Sequence, residues 1–147
     1  MPMTPDPHSL KHKAVYLLPY EPYDGPYADK SDCKFLSVGW AQYDPRMLSV
    51  KTLRHTGAKW SRQSEEIPIH RAIDLLIFLA SVIRDAGHSV MLPAGTFQNQ
   101  RKDEKIGPHI ADYDLKALEA QLNDPAVVDR LGKLLDVLQT MRSEDRF

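Results

Sequence analysis

The sequence predicts an α+β domain, and three observations carry that prediction. Leu36, Val38 and Trp40 alternate with Ser37, Gly39 and Ala41, which is the period of a strand. Residues 68 to 86 place apolar side chains almost all round a helix, opened by Pro68 and closed by Gly87. Two further helical stripes end the chain, through Leu115, Leu118 and Leu122 and then from Val127 to Met141.

The elements follow in order. Residues 1 to 13 (MPMTPDPHSLKHK) are polar and Pro-rich, and are expected to form a loose tail ahead of a single domain over 14–147. From Ala14 to Lys34, prolines fall among Tyr16, Tyr20, Tyr23 and Tyr27, so the chain is extended and its tyrosine hydroxyls stay wet. The strand at Leu36 to Trp40 leads into the turn Asp44-Pro45-Arg46-Met47, and Leu48 and Val50 resume the alternation toward His55. This is a hairpin with one buried face, the apolar one. The long helix that follows is expected to be central and buried. A short strand through Val90 and Leu92 precedes a hydrophilic loop over 98–108. Asp114 is placed to cap the next helix, and Asp124-Pro125 opens the last.

Composition narrows the function classes. The 147 residues carry a formal net charge of −1, unlike a strongly basic nucleic-acid binder, so nucleic acid is not expected as a partner. The longest apolar run is far short of the ~20 residues a membrane helix needs. Cys33 is the one cysteine, so no internal disulfide forms and a cytoplasmic setting is expected. Gly-rich phosphate loops, a Gly-x-Ser-x-Gly elbow and a His-Glu-x-x-His zinc motif are all missing from the sequence, so no cofactor and no metal are expected. Cys33 reads as a structural thiol.

The polar stretch RHTGAKWSRQSEEIPIHR, from Arg54 to Arg71, is the expected location of any site. It joins a strand end to a helix start, where backbone N–H groups favour anions. His55, Trp60, Arg62, Glu66, His70 and Arg71 are the candidate ligand-binding residues, with an arginine clamping a carboxylate or phosphate. The structural alternative pairs the arginines with Glu65, Glu66 and Asp74 and lays Trp60 over the edge of the core. Glu66, His70 and Asp74 are expected along one side of the helix, at four-residue spacing.

The runs LRHTGAKWSRQSEEIPIHRAIDL (Leu53 to Leu75) and YDGPYADKSDCKFLSVGWAQYD (Tyr23 to Asp44) resemble an uncharacterised bacterial domain family of unknown function. The resemblance covers roughly a third of the chain and implies a bacterial origin, with no catalytic roles to carry over. Three function classes follow from the residues. The first is a small binding or interaction module, for a small anionic ligand or a protein partner. The second is an enzyme with Glu66 or His70 as acid–base and Arg62 as anion clamp. The third is a homodimeric structural component joined through the apolar stripe of the last helix.

Overall fold

The computed structural model describes residues 6–61, 64–86, 88–107 and 115–147. The fold is α+β, as the patterning predicts. The chain divides into two compact units, Met1–Leu75 and Leu76–Phe147.

The first unit is built on a four-stranded antiparallel sheet in the order β1 (Lys13–Pro19), β2 (Cys33–Trp40), β3 (Leu48–Arg54) and β4 (Ile67–Pro68). The expected hairpin is β2–β3, which runs in register from Trp40 opposite Leu48 to Cys33 opposite Arg54. Its turn uses the expected residues: Asp44 Oδ1 accepts from the Arg46 N–H at 3.0 Å, and Asp44 O accepts from the Met47 N–H at 3.0 Å. β1 crosses β2 with a bulge between Ala14 and Tyr16, which twists the edge strand. Beyond β1, two short 3-10 turns hold Glu21–Tyr23 and Gly25–Tyr27, and Tyr16, Tyr23 and Tyr27 are exposed as expected.

Which face is buried differs from the sequence reading. Cys33, Phe35, Ser37, Gly39 and Ala41 face the core, together with Ser49 and Leu53 of β3. Leu36 and Val38 are only half-buried, and Trp40 is exposed. Leu36 and Val38 lie with Tyr16, Leu18 and Val50 on an open apolar groove of about 560 Å³. The physical reason is that both faces of β2 carry apolar groups, since Cys33 and Phe35 share a side with the two small residues Ser37 and Gly39. The better-covered side is decided by tertiary partners and not by the alternation itself.

Residues 6–13 also differ from the loose tail expected. Asp6 accepts a hydrogen bond from the His8 N–H at 2.9 Å and caps a 3-10 turn over Pro7–Ser9. His12 is buried, only 1% exposed. A Pro-rich segment lacks apolar groups to anchor it, but a single well-satisfied imidazole anchors this one.

The long helix is α1, Ile69–Arg84. Its start agrees with the sequence to within a residue, yet none of its residues is fully buried, and Ile73 remains 58% exposed. An apolar circumference states what a helix needs, whereas burial depends on what surrounds it. In the second unit, β5 (Val90–Leu92) is the strand expected at Val90 and Leu92. It pairs with β6 (Glu104–Ile106), which lies inside the segment expected to be loop. Strand β6 is too short and too charged to show a period, and its pairing is secured by the connecting loop. There, Gln100 Nε2 donates to Leu92 O and Lys102 O, and Asp103 Oδ1 accepts from the Ala94 N–H. Helices α2 (Leu115–Leu122) and α3 (Pro125–Ser143) close the unit. Asp124 caps α3 through the Ala126 N–H at 2.8 Å, while the expected cap Asp114 lies outside the described residues. Among the described residues no helix is long and apolar enough to cross a membrane.

Candidate functional site

The strongest polar construction in the first unit centres on His12. The strand alternation that turns Phe35 inward also turns Ser37 inward, and the register sets Ser49 opposite Gly39. His12, directly before β1, enters the same buried layer. Its Nε2 lies 2.7 Å from Ser37 Oγ and its Nδ1 2.5 Å from Glu66 Oε1. Ser49 Oγ sits 3.2 Å from both His12 Nδ1 and Glu66 Oε1. The Gln42 N–H donates to both Glu66 oxygens, at 3.0 and 2.8 Å. An ionised Glu66 only accepts, so Nδ1 carries a proton toward it; in a neutral ring this leaves Nε2 to accept from the Ser37 hydroxyl. Every buried polar group in the cluster is thereby satisfied.

The order Glu66–His12–Ser37 is the order of an acyl-transfer relay. Its terminal hydroxyl, however, is on a residue 4% exposed and turned into the core, so a substrate carbonyl cannot reach it. The cluster is a lock. It ties the N-terminal segment, the hairpin and the segment before β4 to one another.

Over this lock opens a cleft of about 800 Å³, whose lining includes Lys11, Tyr43, Lys51, Trp60, Ser64 and Glu66. Trp60 is set by three contacts. Its ring meets His55 edge-on at 5.0 Å between centroids and Phe35 at 6.3 Å, and its Nε1–H donates to Asp6 O at 3.2 Å. The backbones of His55 and Trp60 also form an isolated antiparallel bridge, so the loop between them is a small closed hairpin. Ser64 Oγ is buried and has no hydrogen-bond partner among the described residues.

Of the six residues predicted from sequence, Trp60 and Glu66 line this cleft. His55 supports Trp60 from behind, and its Nδ1 accepts from the Gly57 N–H at 3.0 Å. His70 and Arg71 are exposed on the first turn of α1, and Arg62 lies outside the described residues. Glu66 precedes the helix, because Ile67 and Pro68 pair as β4 with Val50 and Ser49. The expected row of Glu66, His70 and Asp74 on one helix side therefore does not form. The expected ion pairs differ too: Arg54 bonds Asp32 at 2.7 Å, and Glu66 takes His12. That Arg54 hydrogen bond holds the Asp32 carboxyl below its ordinary range, and Asp32 raises the Arg54 guanidinium in return. Burial pushes the Cys33 thiol up, reinforced by the carboxylates of Asp24 and Asp32. No group of three His, Cys, Asp or Glu side chains among the described residues is arranged to hold a metal ion.

His12, Ser37, Ser49 and Lys11 were not legible as site residues. His12 sits between two lysines in a polar run, which carries no periodic signal. Ser37 could have been singled out only by knowing which face of β2 is buried.

A model described as a family of unknown function, DUF6530, matches residues 3–93, well over half of the chain. The chain belongs to the DUF6530 family. The family match takes in the whole sheet of the first unit, the lock, the cleft and α1, and ends just after β5. It includes both sequence runs that carried the resemblance and leaves α2 and α3 outside. No curated protein and no solved structure matches the chain. Membership in DUF6530 assigns no activity, so function is argued from the cleft.

Proposed function

We propose that the first unit is a small-ligand binding module whose recognition surface is the cleft above the His12–Glu66 lock. The observation that carries this reading is the open cleft of about 800 Å³, where the indole of Trp60 and the ring of Tyr43 line the same hollow as Lys11 and Lys51. Binding rather than catalysis is favoured because both oxygens of Glu66 are already engaged, leaving no free base there. A bacterial cytoplasm is the proposed setting, supported by the resemblance and by the free thiol of Cys33.

A thermal-shift screen of a mixed-charge fragment library against the full chain tests this. Hits should lose their effect when Tyr43, 55% exposed at the cleft rim, becomes alanine. Hits indifferent to Tyr43→Ala and to Lys51→Met would place binding elsewhere and end the reading.

A second reading is association of two copies through α3. Val127, Leu131, Leu134 and Met141 are half-buried on that helix, while Val128, Leu135 and Leu138 are exposed beside them. Light scattering should then report a dimer at micromolar concentration, which Leu135→Glu disperses; a monomer at all concentrations rules it out.

A further inference from the structure

We infer that the cleft takes a planar ring bearing an anionic group, a phosphate or a carboxylate, with the ring against Trp60 and Tyr43 and the charge between Lys11 and Lys51. This assignment deepens the binding reading above and rests on it.

The charge balance of the lining supplies the first half. Among the described residues, the charged ones that line the cleft are Lys11, Lys51 and Glu66. Neither lysine has a carboxylate partner among the described residues, whereas Glu66 is held by His12, Ser49 and the Gln42 N–H. With a neutral His12 these described residues carry one net positive charge, and with a protonated His12 they carry two. Either state favours an anion. Lys51 is half-buried along the same cleft.

The aromatic groups supply the second half. Trp60 is fixed in place by Phe35, His55 and Asp6, so little side-chain freedom is lost when a flat ring stacks on it. Tyr43 borders the same hollow and presents its ring to solvent. An anion without a ring would leave these surfaces unused, and a ring without a charge would leave the lysines unmet.

The test uses the full chain carrying Trp40→Phe, which leaves Trp60 as the one tryptophan. Its emission is followed during titration with adenosine monophosphate, adenosine, benzoate, benzyl alcohol and inorganic phosphate. Adenosine monophosphate or benzoate should give a saturable change. The matching neutral ring and phosphate alone should bind at least about tenfold more weakly. Lys51→Met, which keeps the apolar stem, should cost about tenfold or more in affinity with an unchanged melting temperature. The two anions compared tell a phosphate from a carboxylate site.

Equal binding of the neutral ring, or indifference to both Lys51→Met and Lys11→Met, overturns the anion assignment while the cleft keeps its binding role. Silence of Trp60 to all five probes, with Tyr43-dependent hits in the fragment screen, overturns the assigned ligand class while the cleft keeps its binding role. Silence in both experiments overturns the inference and the binding reading together.

Discussion

The imidazole of His12 shows how one residue can order a segment that composition marks as loose. It exchanges hydration for contacts with Ser37 and Ser49 in the buried layer of the sheet and with Glu66 at the floor of the cleft. Replacing it with alanine strands the Ser37 hydroxyl and removes the main partner of Glu66. His12→Ala is therefore expected to lower unfolding free energy by about 3 kcal/mol or more in urea melts, whereas Ser49→Ala should cost only about 1 kcal/mol. The Asp32–Arg54 pair is a different case, since both side chains are well exposed. Folding depresses the Asp32 carboxyl below its ordinary 3.8, so its stabilisation is present above that value and is lost as pH falls through the lower folded value. The melting-temperature gap between the native chain and Asp32→Asn should be full at neutral pH and close below about pH 3.8. A gap that persists at pH 2 would show that the pair acts through packing and not through charge. The six residues singled out from sequence were chosen for chemical type and nearness along the chain. That criterion took in Trp60 and Glu66, which line the proposed cleft, but not His12, which is 54 residues from its carboxylate.

At the scale of elements, the hairpin, the last helix and the opening of α1 were legible because each is written locally. Asp44-Pro45 makes its own turn, Asp124 its own cap, and Pro68 sits at the boundary of its own helix. The buried face of β2 and the strand β6 were not, because both depend on partners distant in sequence. Gly39 is an instance with a sharp consequence. β1 passes so close that an added Cβ would lie 2.2 Å from Lys13 O and 2.7 Å from Ala14 Cα, both backbone atoms that cannot move aside. Gly39→Ala should destabilise the first unit by at least about 2 kcal/mol and release β1 from β2. Hydrogen exchange at Leu17 and Leu18 would report that release, and unchanged protection there would contradict the close approach.

For the whole molecule, the family match and the division into units coincide only in part. The match spans the first unit and continues through α1 to β5, while α2 and α3 lie beyond it. The functional claim rests on the first unit alone: a buried polar lock whose upper surface is a positively charged, aromatic-lined cleft. Chemical-shift mapping on the isotope-labelled full chain, titrated with adenosine monophosphate and with benzoate, examines that claim most directly. Shifts should concentrate at Gln42, Tyr43, Lys51, Trp60, Ser61 and Ser64 and fade when Lys51 becomes methionine. Shifts confined to residues 76–147, or spread evenly over both units, would contradict it.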